Sequence, residues 1–491
     1  MREKGEILLI SCYELGHQPL GIAMTAGFLE RAGYLSEAID LSVEKLDPKK
    51  IARAKFIGIS VPMHTALRIG AKVLERIREI HPSCHVAFFG LYASLNEASL
   101  LAHGADSVIG GEYEGPLLSL IERLAAGRSG PTDPIQSMEG IEGVSREGEK
   151  RSPLLTHLSF AVPSRRSLAP LSKYAHLEEN GVRRVAGYVE ASRGCRHLCR
   201  HCPIPPVYEG RFFLVPYETL LEDIRNLVRL GATHITFGDP DFLNGPNHSL
   251  RIVRGMHDAF PEMTFDFTAK VEHLLKHRAL MPEFAARGCR FIISAVESLS
   301  DTVLAHLAKN HTRADVLEAL RVVREAKIAL RPSLVPFTPW TTLDDAIALF
   351  DFVEREGLID HLDPVQYTIR LLIPPGSLFL TEPGMRPHLG PLIQEKFTYQ
   401  WTHPDPRMDT LQNAMSKTVE EATKAEEDPA IIFYRLKELA VAMRENRPPR
   451  PVQISLDPNR RRPPRLTEPW FCCAEPTENQ FAILEESEKI V

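Results

Sequence analysis

The sequence predicts an α/β protein: an N-terminal Rossmann-like, doubly wound domain, then a partial (β/α)6 TIM barrel, then a helical and extended C-terminal tail. Three observations predict it. From residue 6 to about 125, apolar runs of strand length alternate with amphipathic helical runs, the pattern of a parallel sheet covered on both faces. A second alternating series begins near 184 and holds six β/α units in about 190 residues, too few for the eight units of a complete barrel. Beyond 390 the chain turns helical and polar.

In the first domain, 1–127, the strands are EILLIS, SEAIDLS, FIGISVP, HVAFFG and ADSVIGG, with helices through GIAMTAGFLERAG and ALRIGAKVLERIREIHP. The Gly- and Pro-rich stretch RSGPTDPIQSMEGIEGVSREGEKRS opens a linker, 128–180, with a short hairpin. In the barrel, 181–385, strands are expected at RRVAGYVEAS, HITFGD, TFDFTAK, RFIISAVES, IALRPSLVP and PVQYTIRLL. Between the first two, YETLLEDIRNLVRLGA sets Leu220, Leu221, Ile224, Leu227 and Val228 on one helical face. A helical extension, 386–445, leads to a Pro/Arg linker and Cys-Cys tail, 446–491, whose RENRPPRPVQISLDPNRRRPPR segment should run extended. No repeat of solenoid period is present.

Composition excludes several classes. With 44% hydrophobic and 25% charged residues, the 491-residue chain is a soluble globular protein of two to four domains. Its 58 basic and 64 acidic residues leave a net charge of -6, so no polyanion-binding surface is indicated and nucleic acid is not an expected partner. MREKGEILLISCYELG lacks the features of a signal peptide, and no eighteen apolar residues run together. No membrane span is expected, and the cytoplasm is the expected location. Eight cysteines in a chain this long are no disulfide framework. Cys12, Cys84 and Cys289 stand alone in apolar or strand-edge contexts as small core residues.

Three other cysteines are different. SRGCRHLCRHCPIPP packs Cys195, Cys199 and Cys202 into eight positions. A structural zinc site closes with four ligands, usually from two CxxC knuckles. Here the next cysteine is Cys289, and only His197 and His201 stand near enough in sequence to complete a zinc set. Three thiolates on a four-iron four-sulfur (4Fe-4S) cluster leave one iron open to a substrate or cofactor.

CxxxCxxC directly after the first strand of a partial barrel resembles the radical SAM superfamily, and the likeness runs from about 185 to 385. It implies a 4Fe-4S cluster on Cys195, Cys199 and Cys202 and S-adenosylmethionine (SAM) chelated to the open iron. In HITFGDPDF, Gly238, Asp239 and Pro240 match the segment that meets the amino group of SAM; Glu297 and Ser298, ending the fourth strand, match positions that face it. By the same resemblance His201 lies near adenine, and Arg331 on the fifth strand pairs with the SAM carboxylate or, alternatively, with Glu297 inside the barrel. The resemblance further implies a small-molecule substrate and flavodoxin or ferredoxin as electron donor.

A Rossmann-like domain ahead of such a barrel is similar to the cobalamin-binding branch of that superfamily. HVAFFGLYASLNEASLLAHGADSVIGGEYEGPL resembles the branch's passage in which a glycine turn opens a helix and a GE pair closes the domain, here Gly90, Gly110, Gly111 and Glu112. Glycines there let backbone approach a nucleotide tail or corrin edge. The DxHxxG element that supplies a cobalt-binding histidine in other cobalamin proteins is absent, and His17 in ELGHQPLG is only a loose stand-in.

The ending WFCCAEPTENQF resembles the radical SAM group described by its CCAEP tail, some members of which carry selenocysteine at the second position. Cys472 and Cys473 are candidate catalytic residues there, because two soft thiolates suit a soft ligand, a thiol relay or a vicinal disulfide. Three readings stay open. The first is reductive SAM cleavage with radical modification of a small substrate, cobalamin-dependent methyl transfer being its leading variant. The second is aminocarboxypropyl transfer to a soft atom, such as arsenic, held by the tail. The third is a non-catalytic iron-sulfur redox sensor.

Overall fold

A computed structural model describes residues 1–127, 140–157, 159–457 and 460–468. The N-terminal sheet contains β1 (Ile7–Ser11), β2 (Ser36–Asp40), β3 (Phe56–Ser60), β4 (His85–Phe89), β5 (Ser107–Ile109) and β6 (Val144–Ser145), in the order β2-β1-β3-β4-β5-β6. The first five are parallel, and β6 runs antiparallel to β5. β1 and β3 bury every residue, because apolar clusters cover both faces of the sheet. The helix His64–Ile80 supplies one cover by burying Ala66, Leu67, Ile69, Val73, Leu74 and Ile77 at helical spacing. The order 2-1-3 makes the gap between β1 and β3 a topological switch point, where loops diverge and leave a crevice.

The segment expected as a linker does more than connect. Its hairpin, bridged at Arg146 and Glu149, contributes β6, and Leu154 bridges Gly111. Further on, Arg165 is buried in an ion pair with Asp223 (Nη2 to Oδ2 2.9 Å) and donates to Gln18 and the Tyr188 carbonyl. Asp223 is therefore buried on the helix Tyr217–Arg229 beside Leu220, Leu221, Ile224 and Leu227, while Val228 is only partly covered.

The barrel sheet contains β7 (His176–Glu179), β8 (Val182–Val189), β11 (His234–Phe237), β12 (Thr264–Ala269), β13 (Cys289–Glu297), β14 (Ala329–Leu334) and β17 (Arg465–Leu466), ordered β14-β13-β12-β11-β8-β7-β17. From β8 to β14 the pairs are parallel. Between β8 and β11, β9 (Ser192–Gly194) and β10 (Phe212–Leu214) form a two-stranded ribbon around the cysteine segment. Thr312 and Thr342 start the helices Arg313–Glu325 and Leu343–Arg355 with capping boxes closed by Asp315 and Asp345.

The sixth expected strand forms differently. Pro364–Thr368 is a 3₁₀ turn, and only Phe337 and Arg370 bridge in parallel beyond β14. Pro364 offers no N–H to a ladder, and the Gln366 side chain takes the Leu334 N–H (3.0 Å) that a strand carbonyl would have accepted. The sixth position is thus kept by a single bridge.

A second ribbon, β15 (Leu389–Ile393) and β16 (Thr398–Trp401), precedes the helices Pro406–Lys424 and Pro429–Glu445, whose Met408, Leu411, Phe433 and Leu436 join the barrel core. The described residues of the Pro/Arg segment beyond 446 run without regular structure, pinned by Arg460 on Asp360 (2.9 Å), until β17 pairs with β7. Glu468 then accepts the Tyr13 hydroxyl at 2.7 Å. Among the described residues no helix is long and apolar enough to cross a membrane.

Candidate functional site

The carboxyl ends of the two parallel sheets face one another across a cavity of about 350 Å³. Glu14 and His17 after β1, Ser60, Pro62 and Met63 at the end of β3, and Gly90 to Tyr92 after β4 line one side. The other side is barrel: Tyr188, Glu190, Arg193, the cysteine segment, Gly238 to Pro240, Lys270, Glu297, Lys309 and Gln366. Its volume is in the range of small-molecule sites.

Cys195, Cys199 and Cys202 all line the cavity, the first two buried. Two sulfurs bound to one zinc ion lie within about 4.6 Å of each other. Among the described residues the only His, Cys, Asp or Glu trio converging within 4.8 Å is His197, Asp241 and His273, so the three cysteines do not form a ready-made single-ion site. Their segment is braced on both sides by carboxylates that follow β11. Asp239 accepts the Ala191 N–H (2.8 Å) and the Ser192 hydroxyl (2.6 Å) ahead of the cysteines. Asp241 Oδ2 receives His197 Nε2 (3.5 Å) from between the first two cysteines and His273 Nδ1 (2.9 Å). Lys270 donates to His197 Nδ1 (3.2 Å), which leaves Nε2 as the N–H that faces Asp241 and makes this trio a hydrogen-bonded brace.

Opposite the brace, Glu297 sits at φ +64°, in the left-handed region where a non-glycine residue is strained. Its Oε1 meets Lys309 Nζ at 3.2 Å and His201 Nε2 at 3.3 Å. Burial alone would raise its pKa, but the Lys309 charge and the His201 hydrogen bond overcome that and hold it at about 2. Lys309 is itself 1% exposed and feels the charges of Cys199 and Cys202. His201 Nδ1 is buried with no partner.

The other carboxyls of the cavity behave in the opposite way. Burial, reinforced by the charge of Asp40, pushes Glu14 up to about 8, although its Oε2 accepts the Leu20 N–H at 2.8 Å; Oε1 is buried and unpartnered. Burial also pushes Glu190 up to about 8 despite Arg193. His17 stacks on Tyr188 (ring centroids 4.5 Å apart), and burial lowers its pKa to about 3, so it is neutral, with Nδ1 unpartnered.

Of the residues expected from sequence, the three cysteines, His201, Gly238, Asp239, Pro240, Glu297 and Gly90 meet at this cavity. Gly238 is obligatory by packing, since a Cβ there would fall 2.0 Å from the Tyr188 ring; its N–H is used by the Val189 carbonyl. Arg331 is not at the cavity: it is two residues before Ser333 on β14 and binds Asp363 at 2.9 Å, so it pairs neither with Glu297 nor across the site. Ser298 also lies off the lining, accepting the Ser300 N–H. Gly110 packs on Ser94, and Gly111, at φ +74°, lies so close to the Leu154 carbonyl that a side chain would clash. Cys472 and Cys473 lie outside the described residues.

Glu112 is placed in an interdomain clamp instead of at the cofactor crevice. Arg193, two residues before Cys195, donates to Glu112 (3.1 Å) and to both oxygens of Glu114 (2.9 and 2.6 Å), while Tyr208 donates to Glu112 (3.1 Å). Burial pushes Glu112 up to about 7, with Arg193 pulling the other way and Glu114 adding to the rise. Tyr113 and Phe160 cover the guanidinium at 5.0 and 5.4 Å. Sequence reasoning missed Arg193, Lys309 and Asp241. Asp241 lies one residue past the Gly238–Pro240 match, where the resemblance assigns nothing, and a buried lysine such as Lys309 has no local signature.

Residues 189–352 match the family model of the radical SAM superfamily, and residues 7–121 that of the B12 binding domain. The hopanoid C-3 methylase of Methylococcus capsulatus is 24% identical over 66% of this chain and 62% of its own length. The ribosomal protein uS12 methylthiotransferase RimO of Porphyromonas gingivalis is 25% identical over 53% of this chain and 63% of its own. The chain thus spans less than two thirds of these relatives. Among solved structures, OxsB, a cobalamin-dependent SAM radical enzyme with aqua-cobalamin and SAM bound, superposes with a TM-score of 0.68 at 16% identity, covering 88% of this chain and 72% of that one. The methyltransferase TsrM from Kitasatospora setae, with cobalamin and a [4Fe-4S] cluster, gives 0.58 at 18% identity, covering 73% and 71%. The cofactors of these two domains are a 4Fe-4S cluster, SAM and cobalamin, and the cysteine set, the switch-point crevice and the unpartnered polar atoms of the shared cavity fit them. The chain therefore carries a B12-binding domain, residues 7–121, ahead of a radical SAM domain, residues 189–352.

Proposed function

We propose that this enzyme cleaves SAM reductively at a cluster held by Cys195, Cys199 and Cys202 and transfers a methyl group, with cobalamin, to a small-molecule substrate. One observation carries the reading: the three cysteines, the Gly238–Pro240 segment, the Glu297–Lys309–His201 group and the switch-point loops of the B12-binding domain line a single cavity. When bound, the cofactors supply an electron for carbon–sulfur cleavage and a carrier for the methyl group.

The chain's own residues bind and orient. Carbonyl oxygens of the Gly238–Pro240 segment have the polarity for the SAM ammonium. Glu297, ionised and fixed by Lys309, is a pre-oriented acceptor for polar groups of SAM, and the free His201 Nδ1 offers a further hydrogen bond. Glu14 and Glu190 hold protons at neutral pH, which leaves these two carboxyls of the junction side uncharged. The cavity lies between the two sheets, and its mainly apolar lining limits water.

Anaerobic reconstitution with iron and sulfide, reduction, and mass spectrometry of the nucleoside products test the proposal. Cysteine-dependent 5'-deoxyadenosine, absent in the Cys195/Cys199/Cys202 triple-alanine variant, supports it. Methylthioadenosine in its place shifts the reaction to aminocarboxypropyl transfer, and turnover unaltered by Cys473→Ser removes the tail from the chemistry.

A further inference from the structure

Glu112 has a geometry that a simple tie between domains does not need. Its carboxylate holds both ends of the segment that carries the cysteines: Oε2 accepts Arg193 Nη1 at 3.1 Å, and Oε1 accepts the Tyr208 hydroxyl at 3.1 Å. Cys195, Cys199 and Cys202 all lie between those two donors. Glu112 is 0% exposed, and Arg193 and Tyr208 are 8% and 6% exposed, so water does not compete for either bond. Glu114 fixes the Arg193 end a second time, accepting Nη1 at 2.9 Å and Nη2 at 2.6 Å. At the other end, Ile204, Val207 and Tyr208 pack with Leu91 and Leu95 of the B12-binding domain.

The middle of the same segment is gripped by the barrel. Asp241 meets His197 at 3.5 Å, Glu297 meets His201 at 3.3 Å, and the Leu307 carbonyl accepts the Arg200 N–H at 3.0 Å. Those contacts fix the cysteines relative to the Gly238 and Glu297 wall of the cavity. The contacts at the two ends fix them relative to the opposite wall, because the helix Leu91–Leu95 starts directly after Gly90, which lines it.

We propose that Glu112 is a positioning residue for the cluster: from the B12-binding domain it clasps the cysteine segment at both ends and sets the three sulfurs in place against the far wall of the cavity. The inference rests on the function proposed above and adds to it that the B12-binding domain is part of the cluster site. A segment closed at both ends exposes its ligands only when an end opens, so the clasp governs how fast iron can be removed.

Reconstituted holoenzyme tests it with two mild variants. Tyr208→Phe frees one end by deleting a single hydroxyl, and Glu112→Gln keeps the shape while weakening the charge-assisted hold on Arg193. Each should take up iron as the unaltered enzyme does but lose it to bathophenanthroline disulfonate roughly tenfold faster, the equivalent of one buried hydrogen bond. The change that SAM causes in the electron paramagnetic resonance spectrum of the reduced cluster should also differ in both. Gln18→Leu is the control, since it loosens the other buried tie between the domains, the bond from Arg165 to Gln18 at 2.9 Å, without touching the cysteine segment. Its denaturant midpoint should fall while iron loss and spectrum stay unaltered. Iron loss and spectra unchanged in both Tyr208→Phe and Glu112→Gln overturn the clasp, and so does an equal effect in Gln18→Leu. An unaltered enzyme that keeps its iron but cleaves no SAM overturns the proposed function instead, and the chelation contrast still decides the clasp.

Discussion

Two sides of one cavity treat buried carboxyls in opposite ways. Beneath the end of β13, Glu297 is ionised at about 2; at the junction with the B12-binding domain, Glu14 and Glu190 are pushed up to about 8. Burial raises all three. The difference is the partner: a buried ammonium and an imidazole at 3.2 and 3.3 Å outweigh desolvation at Glu297, whereas Glu14 has one oxygen on a backbone N–H and the other on nothing. One side thus presents an ionised carboxylate, whereas the two junction carboxyls stay protonated until something arrives to bind them.

Removing the partner should break the contrast most severely. Lys309→Met leaves Glu297 buried without its ammonium, and we expect a loss of about 3–5 kcal/mol in apoprotein unfolding free energy. Glu297→Gln added to it should restore part of that loss in a double-mutant cycle, and full additivity would show that the pair is not coupled.

Acidity separates the two sides next. Glu297 has a folded pKa below its ordinary 4.5, so its contribution is present above 4.5 and disappears as pH falls toward 2, about 3 kcal/mol in total. For Glu14 and Glu190 the sign is reversed. Their folded values exceed 4.5, so stability is full below that pH and declines by up to about 1.4 kcal/mol per pH unit per group as pH rises toward 8. Denaturant midpoints of Glu14→Gln and Glu190→Gln between pH 5 and 8 should fall less steeply than those of the unaltered chain, with an acid limb that does not move.

The smallest effect tests whether the brace belongs to the cluster or only to the fold. Asp241→Asn keeps the shape but weakens the acceptor shared by His197 and His273, at about 1–3 kcal/mol of stability. If the brace positions the cysteine segment, the resonance spectrum of the reduced cluster and its change on adding SAM should both shift. A spectrum identical to that of the unaltered enzyme would confine Asp241 to folding.

The residues that sequence alone located well share a property: their meaning is local. Cys195, Cys199 and Cys202 reach one cavity because eight positions hold them together, and Gly238 to Pro240 follow their strand directly. Arg331 fails where locality fails. Strand alternation gives the face of a side chain but not its depth, and a step of two residues along β14 separates Ser333 on the cavity from Arg331 on Asp363. Glu112 fails for the same reason across domains, since Arg193, which claims it, is 81 residues away in sequence.

The sequence by itself determined the order of two parallel α/β layers and the cysteine set, because hydrophobic period and ligand spacing act over a few residues. The tertiary structure decided which carboxyls are charged, which arginine joins the two domains, and that a sixth strand gives way to a side-chain cap on β14. Those outcomes depend on desolvation and on partners brought from distant segments, and neither is written in the spacing of neighbours along the chain.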